Sequence, residues 1–228
     1  MNEPQHSAWR GRLWLADDHG LLLGTAGHTG AHAHYAHQVL LALEGEACLQ
    51  VNGEQHRGDM LAIASLQPHA ILAPGTACIT LFAEPLAFSL ETLLDVCRQA
   101  PRDITSLAQA LRQAPRRPLD PRLARALARI RAVDEQRLPA TELAQAAALS
   151  VSQLERLFSG RLGLSVRRMV LWQRLRVALG AALAGASLTE AAMAAGFADS
   201  AHLSRSLRQQ FGIRASEALR HLRSDVLA

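Results

Sequence analysis

Histidine side chains are concentrated near the start of the chain, where they could bind a metal ion or line a small-molecule pocket. Eight of the ten histidines lie within the first 69 residues, at His6, His19, His28, His32, His34, His37, His56 and His69. His32 and His34 are separated by one residue, so both side chains would point to the same face of a β-strand. Gln38 shares that face if the strand continues, and His69 begins a later apolar run. The sequence therefore predicts a pocket formed by His32, His34, Gln38 and His69, with the three histidines as candidate metal ligands.

Short strands are the elements that would position these histidines. From Leu21 to about Pro85, short apolar runs alternate with turn residues at roughly ten-residue spacing, which is typical of a small β-sandwich or barrel. Asn52-Gly53 predicts a two-residue hairpin turn, because both positions of a type I′ turn need a positive φ. From Phe88 the leucine spacing becomes helical, and it predicts helices over 88–99 and 105–113. We therefore expect an N-terminal domain over 1–113 in which strands are followed by helices.

The charge of the chain is unevenly distributed. Residues 1–115 hold 6 Arg and 11 acidic residues, a net charge of −5, whereas residues 116–228 hold 18 Arg and 9 acidic residues, a net of +9. The sign changes within 114–121, which contains three prolines and is interpreted as a linker. The basic second part is suited to a polyanion such as DNA.

An internal repeat organises this basic part. Six residues recur 49 positions later: Leu154, Arg156, Phe158, Leu162, Gly163 and Leu164 correspond to Leu203, Arg205, Leu207, Phe211, Gly212 and Ile213. Each copy reads as a short helix, a tight turn and a longer helix, over about 141–163 and 188–212. Ser150 with Gln153 and Ser187 with Glu190 match capping boxes. The pattern predicts two helix-turn-helix units joined by a long helix over about 165–183.

The second helix of such a unit can lie in the major groove of DNA. Leucine and phenylalanine at four-residue spacing would face the first helix, and the positions between them would face outward. The candidate DNA-binding residues are Ser152, Gln153, Glu155, Arg156, Ser200, Ala201, His202, Ser204 and Arg205. Arg, Gln, Glu and Ala can each contact a particular base edge. An ordinary solvated helix face would have a similar composition, so the duplication and the charge are the stronger indications.

A family resemblance follows from these motifs. Two stretches of the chain resemble the twin helix-turn-helix domain of AraC/XylS transcription regulators. They are LAQAAALSVSQLERLFSGRLGLS and AAGFADSAHLSRSLRQQFGIRASEALR. The resemblance implies an all-α DNA-binding domain over 122–228, with base or backbone contacts from all of the residues named above except Gln153. Leu203 and Leu207 stand where the family usually has aromatic residues, and Val166 and Ala215 stand where it commonly has proline.

The N-terminal part resembles a cupin barrel. His32, His34, Gln38 and Gly45 are similar to the first cupin motif, and Pro68-His69 is similar to the end of the second. The resemblance implies a β-barrel in which the histidines bind a divalent ion such as Zn, Ni, Fe or Cu. Gln38 replaces the usual glutamate and so removes a compensating charge. A metal-free pocket for a small-molecule effector therefore remains an alternative.

The composition also bears on whether the chain is a membrane, disulfide-rich or exported protein. No apolar run reaches the ~18–20 residues that cross a bilayer, and the three cysteines lack the spacing of a disulfide framework or zinc site. Residues 1–12 do not resemble an export signal, so we expect a cytoplasmic protein with no membrane partner. RNA polymerase and a second copy of the chain are further candidate partners. The helical spacing of Leu90, Leu93, Leu94 and Cys97 is compatible with packing on the barrel or on a second subunit.

The combined interpretation is an α+β protein of two domains. A cupin-like β-barrel followed by helices would sense an effector, and the twin helix-turn-helix domain would bind promoter DNA, so that the chain is a regulator and not an enzyme. The alternative is a metal-dependent cupin oxygenase or isomerase with a helical partner-binding tail. A third interpretation is a nucleoid-type protein that binds DNA without sequence preference or effector.

Overall fold

The computed structural model describes residues 9–72, 74–132, 138–216 and 221–224. The strands are β1 (Arg10–Leu15), β2 (His19–Thr25), β3 (His37–Ala42), β4 (Ala47–Val51), β5 (Glu54–Gly58), β6 (Met60–Ile63), β7 (His69–Ile71), β8 (Ala77–Ala83) and β9 (Leu222–Ser224). The helices are α1 (Leu90–Gln99), α2 (Ile104–Gln113), α3 (Pro121–Arg131), α4 (Ala140–Ala146), α5 (Val151–Leu162), α6 (Val166–Leu183), α7 (Leu188–Ala194) and α8 (Ser200–Phe211). A sheet-rich N-terminal region is thus followed by a helical region. His6 and most of the segment considered for an export signal lie outside the described residues.

Two separate sheets form the N-terminal region. The larger has the order β6-β3-β8-β2-β1-β9, and the smaller has the order β5-β4-β7. The ladder does not continue from one sheet to the other in the described residues, apart from an isolated antiparallel bridge between His32 and His69. The expected closed barrel is therefore not observed, because a barrel requires an unbroken ladder around its circumference. β1 also precedes the strands that the apolar runs predicted.

The Asn52-Gly53 turn is formed as the sequence predicted. Asn52 and Gly53 have φ of 50° and 91°, and Val51 pairs with Glu54 across the hairpin of β4 and β5. Asn tolerates this left-handed conformation better than most residues, and Gly adopts it without steric cost. Local turn chemistry therefore determines the register of this hairpin.

The core of the N-terminal region lies between the larger sheet and helices α1 and α2. Leu93 and Cys97 of α1 and Leu107 and Leu111 of α2 belong to the same buried cluster as the inward side chains of β2, β3 and β8. Leu90 packs at its margin. The apolar face of α1 therefore covers the sheet of its own chain. Cys48, Cys78 and Cys97 are buried and unpaired, as expected for reduced core cysteines.

The helices of the C-terminal region end and begin at local capping signals. Asp120 caps α3 through the backbone N–H of Arg122, and Pro121 occupies its first turn. Both predicted capping boxes, at Ser150 and Ser187, are formed. No helix in the described ranges is both long and apolar enough to cross a membrane.

The C-terminal region is not entirely helical. β9 pairs in parallel with β1, so that Gly11 lies opposite Leu222. The expectation that the C-terminal domain is all-α is therefore wrong for β9. Its pairing covers β1, which would otherwise be an edge strand with unpaired backbone groups. By packing, the chain divides into one unit of residues 1–117 with 204–228 and another of 118–203. The boundaries predicted from sequence for the functional domains remain predictions.

Candidate nucleic-acid interface and histidine cluster

The first helix-turn-helix unit consists of α4 and α5, which pack against each other. Leu143 of α4 and Leu154 and Phe158 of α5 are fully buried. The turn between the helices passes through Ala148, whose φ of 55° is left-handed. The backbone N–H of Leu149 donates back to the carbonyl of Ala144 at 2.9 Å. The apolar spacing of the sequence therefore corresponds to the core of this unit.

The second unit reproduces this turn. Gly196 follows α7 with a φ of 71°, and the N–H of Phe197 donates to the carbonyl of Ala192 at 2.9 Å. These positions follow Ala148, Leu149 and Ala144 by 48 residues. The Asp199 carboxylate accepts from the backbone N–H of His202 at 2.6 Å near the start of α8. The two units thus share a backbone turn that side-chain similarity alone only suggested.

Helix α3 holds the first unit in place. Nε of Arg129 donates to the Glu142 carboxylate at 2.7 Å, which connects α3 to α4. The Arg125 guanidinium donates to the carbonyl of Ala147, in the turn, at 3.2 Å. These arginines therefore have structural partners, and the net charge of the region overstates the number available for DNA.

Five of the nine predicted DNA-binding residues have exposed side chains. They are Ser152, Gln153 and Arg156 on α5 and Ala201 and Arg205 on α8. Ser200 and Ser204 are half-buried. Arg156 and Arg205 occupy equivalent positions of the repeat, so each unit presents an exposed arginine at the same place on its second helix; Arg161 on α5 and Arg208 on α8 are exposed as well.

Besides local hydrogen bonds of Ser152 and Arg156 at the start of α5, three of the predicted residues make contacts that position other parts of the protein. The Gln153 amide oxygen accepts from the backbone N–H of Ser150 at 2.9 Å, as the capping box requires. The Glu155 carboxylate accepts from the N–H of Val166 at 3.3 Å, at the start of α6. The His202 ring lies edge-on to Phe197, 5.2 Å between centroids. These contacts favour positioning functions for Gln153, Glu155 and His202, and their assignment to DNA remains a prediction.

The histidines predicted to form a pocket do come together. The ring centroids of His32 and His69 are 4.1 Å apart, and those of His34 and His69 are 5.0 Å apart. One ligand atom from each of the three residues lies within 4.8 Å of the others. His34, Gln38 and His69 are 1–2% exposed. The Nε2 atom of His34 is 3.0 Å from the amide oxygen of Gln38.

The predicted strand geometry is wrong for His32 and His34. Both precede β3 in an irregular segment, where only the bridge between His32 and His69 is of β type. Gln38 lies in β3, and His69 begins β7 as expected. Tertiary pairing, rather than the alternation of one continuous strand, therefore brings the imidazoles together.

Backbone carbonyls orient the three imidazoles in the same way. Nδ1 of His32 lies 2.8 Å from the carbonyl of Gly30, Nδ1 of His34 lies 3.0 Å from that of Ala36, and Nδ1 of His69 lies 2.9 Å from that of Gln67. A carbonyl can only accept, so each contact favours the tautomer in which Nδ1 carries the proton. For His32 and His69 the Nε2 lone pair is then available to a ligand, as in many metal sites. The Nε2 atom of His34 instead faces the Gln38 amide, which must present its NH2 group or turn aside if Nδ1 carries the proton.

Burial keeps these imidazoles neutral. It is the main cause that lowers the pKa of His32 to about 4 and of His34 to about 3, with a further contribution from the neighbouring His69. Burial also lowers the pKa of His69. Neutral imidazole is the form that coordinates a metal ion. The cluster is thus suited to a cation or a hydrogen-bond donor.

Two observations about the helices now bear on the protein's family. A family model described as a helix-turn-helix domain matches residues 143–221, which span both turns. A transcriptional regulator from Chromobacterium violaceum, described as having an AraC-type DNA-binding domain, is 30% identical over 41% of this chain and 85% of that chain, with a TM-score of 0.40. The chain belongs to the AraC family. It is an AraC-type DNA-binding transcription regulator.

Solved structures also resemble this AraC-type regulator over most of its length. Apo ToxT from Vibrio cholerae has a TM-score of 0.59 at 8% identity and covers 90% of this chain and 98% of that chain. ToxT with a bound unsaturated fatty acid has a TM-score of 0.56 at 9% identity, over 97% of this chain and 98% of that chain. At such identities the likeness concerns the fold alone. No curated protein matches the sequence.

Proposed function

We propose that this AraC-type regulator reads specific promoter DNA with two helix-turn-helix units and that an effector at the histidine cluster modulates its binding. The observation that carries the proposal is the repeat of one backbone turn, at Ala148 and Gly196, each followed by a helix with an exposed arginine. Recognition helices about one helical turn of DNA apart, roughly 34 Å, would read successive major grooves.

We assign direct recognition first to the exposed residues of α5 and α8. Arg156 and Arg205 are suited to guanine, Ala201 to the thymine methyl group, and Ser152 and Ser204 to bases or phosphates. Gln153, Glu155, Ser200 and His202 complete the predicted interface. Residues 122–228 would form this DNA-binding domain, connected by a linker over 114–121 to an effector domain over 1–113.

A divalent transition metal fits the histidine cluster. His32 and His69 would hold it through Nε2, since their Nδ1 atoms face carbonyls. His34 would join them through Nε2 once the Gln38 amide, 3.0 Å away, turns aside. The buried Nε2 of His69 has no hydrogen-bond partner within the described part of the chain. Imidazole suits Zn, Ni, Fe and Cu. Bound there, a metal would cross-link the segment before β3 to the start of β7.

A small organic effector is the second candidate for the same site. A structure of ToxT contains an unsaturated fatty acid, and another contains (E)-4-(8-methylnaphthalen-1-yl)but-3-enoic acid. Both are carboxylic acids with apolar parts. In this chain the His34 ring lies 5.7 Å from the ring of Phe82, so an apolar contact is also present. The protein would act in the cytoplasm, with RNA polymerase and a second copy of the chain as partners.

Regulation rather than catalysis is the function that the whole chain supports. A cupin oxygenase would use the same histidines, but it would not account for the duplicated helix-turn-helix. Any effector would change promoter occupancy through different affinities for two arrangements of the protein. A nucleoid-type binder would instead show little sequence preference.

Selection of random duplex DNA by the full-length protein, with and without zinc, tests this function. We expect enrichment of a motif with two blocks about one helical turn apart, and a change in affinity when zinc is added. No enrichment in either condition would contradict the assignment as a sequence reader. Enrichment that is independent of zinc but responds to a carboxylic acid would favour the organic effector.

A further inference from the structure

The end of α8 lies against the histidine cluster. Phe211, the last residue of α8, has its ring centroid 5.4 Å from that of His34 and 6.3 Å from that of Phe82. The backbone N–H of Gly30 faces the carbonyl of Gly212 at 3.4 Å. These contacts lie within one packing unit, to which the chain from Ser204 onward belongs. Phe211 and Gly212 therefore form part of the wall around the histidines.

The chain at Gly212 lies very close to Gly30 and His32. A Cβ atom at Gly212 would lie 2.6 Å from the carbonyl oxygen of Gly30 and 2.9 Å from Nδ1 of His32. Its φ of +67° is also left-handed, as is that of Gly163 at the equivalent position of the first unit. Further along, β9 pairs with β1. The segment is thus attached at two places, Phe211-Gly212 and β9.

His69 has a ring nitrogen that is not hydrogen-bonded within the described residues. Its Nε2 atom is buried, and no described group hydrogen-bonds to it. Its ring packs against those of His32 and His34, which lie next to Gly212 and Phe211. A buried polar atom without a partner destabilises the arrangement that buries it. A ligand that bonds to Nε2 would remove this cost.

We propose that Phe211 closes the histidine cluster and that a divalent metal at the cluster and the docking of Phe211, Gly212 and β9 stabilise each other. The proposal rests on the proposed metal site and on the proposed recognition by α8. Since α8 ends at Phe211, the position of that helix end depends on whether the cluster is occupied. Linkage is reciprocal, so the factor by which bound metal strengthens docking equals the factor by which docking strengthens metal binding. Loss of the docking contact therefore weakens metal binding by that factor.

Zinc affinity of the full-length protein, measured by competition with a chromogenic chelator, tests the linkage. We expect Phe211→Ala to weaken zinc binding about ten-fold, within the range typical of coupled sites. Phe211→Leu removes the ring but keeps an apolar side chain, the same residue type as Leu162, its counterpart in the first unit. This variant therefore tests the ring contact while the helix end stays intact. Leu162→Ala is the matched control and should bind zinc as the unchanged protein does.

Hydrogen exchange provides the second readout. Zinc should slow amide exchange in peptides covering 9–15 and 204–224 of the unchanged protein, and it should have no such effect in Phe211→Ala or His69→Ala. Equal zinc affinity of Phe211→Ala, Phe211→Leu and the unchanged protein would overturn the proposal, as would unchanged exchange on zinc addition or absence of zinc binding. DNA selection without zinc is measured separately, so failure of this linkage is distinguishable from failure of DNA recognition.

Discussion

The predicted base recognition depends most on the side chains of Arg205 and its counterpart Arg156. Both are exposed on the second helix of a unit, at positions related by the 49-residue repeat. A guanidinium can donate two hydrogen bonds to O6 and N7 of one guanine. Other predicted residues, such as Glu155, have partners inside the protein. Specificity should therefore be more sensitive to the arginines than to Glu155.

Replacement of Arg205 by alanine should weaken binding to the selected DNA by about 1–3 kcal/mol and relax the preference at one base pair, because one bidentate contact is lost. Binding titrations against the selected sequence and its single-base variants would measure both effects. Arg208→Ala removes the same charge from the same helix and serves as control. An equal loss on all sequences would reassign Arg205 to a phosphate.

Asp18 is a second residue whose environment has a measurable consequence. It accepts from His19 Nδ1 at 2.7 Å and from Arg116 Nε at 3.0 Å. Burial alone would raise the pKa of this carboxyl, but the hydrogen bonds and electrostatic interactions with His19 and Arg116 outweigh it and lower the pKa to about 2. The Arg116 guanidinium also lies 4.5 Å from the ring centroid of Phe88 and donates to carbonyls at the end of α2. Asp18 thus connects the sheet to the helices that cover it.

The ionised Asp18 stabilises the folded protein by about 2 kcal/mol, since a pKa shift of one unit corresponds to ~1.4 kcal/mol. Because the folded pKa is lowered, this contribution is present above the unfolded value near pH 4 and is lost as pH falls toward about 2. Asp18→Asn should therefore lower the free energy of unfolding at pH 7 and flatten its decline below pH 4 in urea titrations. Asp95→Asn, in an exposed pair with Arg98, should change it little; equal effects of the two would contradict this account.

At the scale of elements, the turn is what the two helix-turn-helix units have in common. The left-handed position is alanine in the first unit and glycine in the second, Ala148 and Gly196. A Cβ in this conformation is sterically unfavourable. The first turn is therefore strained where the second is not, and the packing of Leu143, Leu154 and Phe158 maintains it.

Ala148→Gly should raise the stability of the protein by about 0.5–1 kcal/mol, because it removes the Cβ strain while the added freedom of the unfolded chain offsets part of the gain. Thermal unfolding would measure the change. Ala147→Gly is the matched control: Ala147 is αR with a φ of −82°, so there the substitution should cost about 1 kcal/mol. Destabilisation by Ala148→Gly would show that the turn is unstrained.

At the scale of the molecule, charge separates the two ends of the chain. Residues 1–115 carry a net charge of −5 and residues 116–228 a net of +9. Arg125 and Arg129 are already paired within the helical region, so only part of the excess can reach phosphates. The DNA affinity should still contain a large electrostatic contribution.

Increasing salt from 50 to 200 mM should weaken DNA binding by about 10³-fold or more if six or more phosphates are contacted, because bound counterions are released. Fluorescence anisotropy over this range would give the slope, with Arg205→Ala as a variant whose slope stays unchanged if Arg205 contacts only a base. An affinity independent of salt would contradict the electrostatic account.

Several features of this AraC-type regulator could be predicted from the sequence because they depend on residues close together in the chain. Capping boxes at Ser150 and Ser187, the Asn52-Gly53 turn and helix α6 follow from hydrogen bonds and φ preferences within a few residues. The repeat likewise predicted the two helix-turn-helix units, since each unit buries its own leucines. The types of the pocket residues, three histidines and a glutamine, were also identifiable.

Only the tertiary structure decided how distant segments meet. His32 and His34 lie outside a continuous strand and meet His69 through a bridge across 37 residues. The strands form two sheets instead of a closed barrel, and β9 pairs with β1 from the other end of the chain. Phe211, which the sequence identified only as the counterpart of Leu162 in the repeat, lies against His34. Such contacts depend on which surfaces remain to be covered once the local elements have formed, and the spacing of residues along the chain does not encode that directly.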